Sequence, residues 1–129
     1  MSEENVEVVQ QIVGYFAATG EFGPREAYDP DVTFTSRGVS PQTFHGFDGL
    51  LDALADFREA WARIEPQLVE LIDDDDVVVA LIRFRVHSQV GLDLEFDEGW
   101  AYWFRGGQIA RIEQHASKQE ALEAAGLSE

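Results

Sequence analysis

The chain contains no cysteine, which excludes disulfides, cysteine metal sites and thiol nucleophiles together. Long apolar runs are missing too. The longest, Val77 to Ile82, is far too short to cross a bilayer. The opening MSEENVEVV is acidic and lacks the basic and apolar regions of a secretory signal. Basic residues are scarce, with 9 Lys and Arg against 25 Asp and Glu. The formal charge of -16 disfavours nucleic acid and anionic membranes, because both are bound by cations that neutralise phosphate. Such acidity serves solubility or suits a saline interior; a cationic partner is the alternative. Two catalytic signatures are also absent: there is no G-x-S-x-G nucleophile elbow and no H-E-x-x-H zinc motif. A soluble cytoplasmic protein is the expectation.

What is present suits one domain spanning residues 1–129. A chain of 129 residues with 45% hydrophobic content can build one sizeable core. No repeat or low-complexity linker divides it. The acidic run Asp73 to Asp76 lies between apolar segments and reads as a solvated turn. It lacks the alternating ligands, glycine and terminal glutamate of a calcium loop.

Local pattern predicts the elements in order. Val6, Val9, Val13 and Phe16 recur at helical spacing in a helix over Glu3–Thr19, with Ser2 as its cap and Gly20 as its stop. Pro24 opens a short helix through Tyr28, and the turn Asp29–Asp31 leads into a strand over Val32–Arg37. Asp48 caps a long helix to about Ile64, because Leu50, Leu54, Phe57, Trp61 and Ile64 form one apolar stripe and Pro66 terminates it. The period then changes. Gln67–Ile72, Val77–Ser88, Leu92–Arg105 and Gln108–Ala116 read as strands. Gly106-Gly107 supplies a two-residue hairpin turn. Ser117 opens a last helix through the capping box S-K-Q-E, and Gly126 ends it. Helices first and a strand meander after them give an α+β layer fold.

Four stretches carry a resemblance to a known family: ENVEVVQQIVGYFAATGEF in the first helix, YDPDVTF at the first strand, HGFDGLLDAL at the start of the long helix, and WFRGGQIARIEQHASKQEALEAAGL in the final hairpin and tail. Together they resemble the SnoaL-like group of the nuclear transport factor 2-like (NTF2-like) superfamily. The resemblance implies a cone-shaped fold, in which a strongly curved, mostly antiparallel sheet wraps the helices around an internal cavity. It also implies a homodimer packed through the outer sheet face, and no required metal or organic cofactor. Relatives of this kind include polyketide cyclases and other acid-base enzymes. The implied function is therefore small-molecule binding, with isomerisation, cyclisation, hydration or hydrolysis of an apolar, ring-bearing substrate. A non-catalytic ligand-binding or dimerisation module is the alternative.

Alternation along the final hairpin sorts its side chains. With Arg105 opposite Gln108, Phe104 faces Ile109, Tyr102 faces Arg111 and Trp100 faces Glu113, with His115 following on that face. Trp103, Ala101, Ala110 and Ile112 fall on the other. This register makes His115 the candidate acid or base with Glu113 as its partner, and Trp100, Tyr102 and Arg111 the candidate ligand contacts. A single β-bulge would reverse part of it. The competing readings are a half-exposed His115 at the core's edge and an Arg-paired Glu113. Phe34, Phe57 and Trp61 are core residues or further ligand contacts. Arg83, Arg85 and His87 alternate with Ile82, Phe84 and Val86 and so face outward, solvated or pairing with acids across a dimer. His45 is a loop residue or a pocket-rim group.

Overall fold

The computed structural model describes residues 2–37 and 41–127. The first helical pattern becomes α1 (Ser2–Thr19), whose buried face is Val9, Ile12, Val13 and Phe16. The capping role expected of Ser2 rests on a side chain outside the described residues. Gly20, with φ of 77°, ends the helix by donating its N–H to the Phe16 carbonyl at 2.8 Å. After Pro24 the chain makes only one 3-10 turn, Arg25–Ala27, and Tyr28 already belongs to β1 (Tyr28–Thr35). The strand thus begins earlier than the turn at Asp29–Asp31 suggests. That turn is absorbed as an irregularity between Tyr28 and Thr33, where Asp29 Oδ1 accepts from the Asp31 N–H at 2.8 Å.

A short strand that local pattern does not announce, β2 (Thr43–His45), folds back on β1 and delivers the chain into α2 (Gly46–Ala60). His45 occupies the N-cap position, and Asp48 lies inside the first turn instead of capping it. An acid there still faces the positive end of the helix dipole. The helix stops at Ala60, short of the expected Ile64, and Trp61 is extended at φ -133° and ψ 131°. The reason is a rival period in the same residues. Ile64, Pro66 and Leu68 are spaced by two, and as β3 (Arg63–Asp74) they sit opposite Val86, Phe84 and Ile82 of β4 (Val77–His87). Strand pairing begins where the Ala62 N–H reaches the His87 carbonyl at 2.8 Å. Pro66 is tolerated because β3 is an edge strand.

The remaining elements are β5 (Asp93–Arg105), β6 (Gln108–His115) and α3 (Lys118–Ala124). Among the described residues six strands form one sheet in the order β2-β1-β6-β5-β4-β3, antiparallel throughout except where β1 lies parallel to β6. The acidic run does form the β3–β4 turn, through Asp75 at φ 56°. Asn5, buried on α1, donates to the Asp75 carbonyl at 3.2 Å and ties helix to turn. Gly106 and Gly107 have φ of 60° and 81°, the positive pair a tight hairpin demands. Ser117 caps α3 by accepting from the Glu120 N–H at 3.1 Å.

The helices divide between the two faces. α1 and α2 cover one face over a large core that includes Phe34, Leu50, Val78, Ile82 and Ile109. α3 covers part of the other, where Ala121 and Leu122 pack on Val79 and Ala101. Contact there is close at Gly99 of β5, where a Cβ would lie 2.3 Å from the Ser117 carbonyl oxygen and 2.9 Å from the Ala121 methyl. Gly99→Ala should therefore cost roughly 2–3 kcal/mol, an overpacking penalty against backbone that cannot retreat. Equilibrium denaturation measures this, with an unchanged midpoint counting against the close docking of α3.

Candidate functional site

The face a hairpin residue occupies depends on register, and here β6 carries a bulge. Phe104 is opposite Ile109, but Trp103 is opposite Arg111, so Ala110 is an extra residue. Beyond it the alternation reverses. Ile112 and Gln114 come to lie opposite Tyr102 and Trp100, whereas Arg111, Glu113 and His115 oppose Trp103, Ala101 and Gly99. The register expected from straight alternation is thereby corrected. Trp100 and Tyr102 face the α1/α2 side. Arg111, Glu113 and His115 share the α3 side, away from those aromatics.

On the α1/α2 side lies a cavity of about 430 Å³, a volume suited to a small organic molecule. α1 contributes Phe16; α2 and the residues after it contribute Ala53, Asp56, Phe57, Trp61 and Ile64. The sheet supplies Phe84, Phe96 and Trp100, and the β1–β2 connection supplies Arg37 and Phe44. Of the sequence candidates, Trp100, Phe57 and Trp61 line this space. Phe34 is wholly buried beneath it, with its ring 5.4 Å from that of Trp100. Tyr102 lies deeper in the core, where burial pushes its phenol far above the usual range and keeps it neutral.

The polar end of the cavity is built around Glu98, a residue only 3% exposed. Its Oε1 accepts from Trp100 Nε1 and from Gln114 Nε2, each at 3.0 Å. Its Oε2 accepts from Arg37 Nε at 2.6 Å. The Gln114 side-chain Oε1 accepts in turn from the Arg37 backbone N–H at 3.3 Å. A buried carboxylate survives only when charge and donors replace lost water, and this one has both. Sequence reasoning missed Glu98, Gln114 and Arg37. The signal for Glu98 was available, since Trp100 faces the cavity and Glu98 stands one strand period before it. Gln114 could be found only by knowing of the bulge.

The displaced trio forms a separate cluster. Arg111 lies over the Trp103 ring, 4.2 Å from its centroid, and donates to Glu113 Oε2 through Nε at 3.0 Å. Glu113 Oε1 lies 3.0 Å from His115 Nε2. Burial raises the Glu113 pKa, but the hydrogen bonds and charges of Arg111 and His115 outweigh it and the net shift is downward. Arg83, Arg85 and His87 do face outward, and they pair within their own sheet with Asp97, Glu95 and Asp93. His45 faces Thr33 across the β1–β2 pair. Among the described residues no group of three or more His, Asp or Glu could hold a metal, and no helix is long and apolar enough to cross a membrane.

A depressed carboxylate pKa contributes stability above the unfolded value and loses it as pH falls through the folded one. Glu113→Gln should therefore lower stability at neutral pH by about 1 kcal/mol. The gap from the unmodified protein should close as pH drops below the ordinary carboxylate range. Urea unfolding at a series of pH values reads this directly, and a gap that stays constant would show that the Arg111–Glu113–His115 cluster contributes no linkage.

Comparisons with known proteins agree with this architecture. Residues 23–112 match the SnoaL-like domain, while no curated protein matches the sequence significantly. Among solved structures, an NTF2-like protein of unknown function from Burkholderia pseudomallei superimposes with a TM-score of 0.80 at 21% identity, covering 93% of this chain and 95% of that one. TerC, crystallised with polyporic acid, gives 0.77 at 21% identity, covering 93% and 96%. A candidate SnoaL-like polyketide cyclase from Jannaschia sp. CCS1 gives 0.78 at 16% identity, covering 99% and 95%. At such identities the shared property is the α+β NTF2-like fold. With the family pattern running through well over half its length, the chain belongs to the SnoaL-like family of the NTF2-like superfamily.

Proposed function

We propose that the chain binds an apolar, ring-bearing small molecule in the cavity between α1, α2 and the sheet, and performs acid-base chemistry on it. The observation that carries the proposal is Glu98, the one buried carboxylate among the described residues, on the wall of an aromatic-lined space. Aromatic walls reward burial of a flat ring. The proton-transfer group in this reading is Glu98, not the Glu113–His115 pair on the opposite face. Trp100 and Gln114 fill one of its oxygens, and Arg37 takes one position on the other. A carboxylate oxygen can accept two hydrogen bonds, so Oε2 keeps room for a substrate proton. Arg37 stands beside it to balance charge that develops on a substrate oxygen. Isomerisation, cyclisation, hydration and elimination all use such a base. The polyporic acid crystallised with TerC and the polyketide cyclase relative fit the same class of ring-bearing compound.

A homodimer through the outer sheet face and a cytoplasmic location belong to the same reading. The outward Arg83, Arg85 and His87 already pair in cis with Asp97, Glu95 and Asp93, so a partner would meet a ladder of paired groups there. Sedimentation should give twice the chain mass at micromolar concentration; a monomer removes the dimer.

The activity is tested by a thermal-shift screen of neutral cyclic ketones and phenols, followed by deuterium exchange in the hits. Exchange at the carbon beside the carbonyl should fall at least about 100-fold in Glu98→Gln, with binding weakened much less. Unchanged exchange would remove Glu98 as the base and leave ligand binding alone.

A further inference from the structure

The cavity's two ends differ in how completely their polar groups are satisfied. On the sheet side Glu98 and Arg37 compensate each other at 2.6 Å. At the α2 end stands Asp56, which lines the same cavity and has no hydrogen-bond or ion-pair partner among the described residues. Trp61, immediately past α2, also lines it and stacks on no other ring among them. Counting charges on the lining gives Arg37 as the one cation against Glu98 and Asp56, a net charge of one negative unit. The whole molecule adds to this sign, with its formal charge of -16. Seven of the lining residues are aromatic, and ring faces present negative potential.

An unpaired carboxylate and an unstacked indole lining one cavity, walled by rings and negative overall, are the recognition chemistry of an alkylammonium group. Resting on the ligand-binding reading above, we infer that the cavity's ligand is cationic: a ring-bearing tertiary or quaternary amine. Its ammonium group sits between Asp56 and Trp61, and its ring lies inward against Phe84, Phe96 and Trp100. An anionic ligand meets the opposite conditions. Arg37, the one cation among the described lining residues, already pairs with Glu98, and the other charge on the wall, Asp56, repels an anion. Acidity that the composition alone explains as solubility thereby acquires a second effect, since a negative molecule raises the local concentration of a cationic ligand at its mouth.

Three probes of one shape separate the alternatives: benzyltrimethylammonium, its uncharged carbon isostere neopentylbenzene, and the anion phenylmethanesulfonate. Each is titrated into the intact protein at low salt and followed by NMR. The ammonium compound should bind roughly 5-fold or more tighter than the isostere, a difference in the range of a partly desolvated cation–π and charge contact. The sulfonate should bind most weakly. Asp56→Asn should shrink the ammonium's advantage by about 3-fold while leaving the isostere unchanged, and Asp56 is exposed, so folding is preserved. Trp61→Leu should lower ammonium binding more than isostere binding. If the isostere binds as well as the ammonium, or Asp56→Asn leaves their ratio unchanged, the cationic-ligand inference falls and the ligand-binding reading stands. If none of the three binds while a neutral cyclic ketone or phenol does, the cationic-ligand inference falls alone; if those fail as well, both fall.

Discussion

Burying the Glu98 carboxylate is the constraint around which the cavity end of the molecule is arranged. Removing an ionised group from water costs several kcal/mol even after relaxation. Here the cost is offset by an indole, an amide and a guanidinium drawn from three segments of the chain. Those segments are β5, β6 and the residues just past β1, so the hydrogen bonds fix the strands' relative positions at that end of the sheet. Gln114 completes the arrangement by holding both the Glu98 carboxylate and the Arg37 backbone. The buried carboxylate is thus also the group that orders the wall around it.

The β6 bulge decides which polar groups reach that wall. One extra residue, Ala110, sends Gln114 inward and Glu113 and His115 outward. The two clusters that result differ in character. The inner one has one buried acid on the cavity wall with donors converging on it. The outer one is a chain from Arg111 through Glu113 to His115, laid along the surface beside Trp103. Acid and histidine at close range are not sufficient for a site. What the inner acid has in front of it is a cavity of about 430 Å³.

Much of the fold was legible because local signals dominate where they are unopposed. The apolar period of α1, the glycine pair at 106–107, the Ser117 cap and the outward alternation of Arg83, Arg85 and His87 all appear as expected. Legibility failed where two signals share the same residues. Trp61 and Ile64 continue a helical stripe, yet Ile64 also begins a strand of period two, and pairing with β4 decides the matter. β2 is too short for any period to show. The bulge left one mark that straight alternation passes over: Ile109 and Ile112, three residues apart, can share a core face only if an extra residue lies between them, and both are buried in the same core. Glu98 was hidden by convention: an acid inside a strand is read as solvent-facing unless its neighbours' faces are followed through.

Strand β5 is a wall shared by two compartments. Glu98 and Trp100 look into the cavity, while Gly99 between them lies against the start of α3 with no room for another carbon. The backbone at this point cannot yield outward without lifting the C-terminal helix off the sheet. A ligand larger than the resting space must therefore find its room elsewhere, by displacing α2 and the Trp61 segment. The sheet side of the cavity is held from behind by α3, so the range of ligand sizes is decided on the helical side, by α2 and the Trp61 segment.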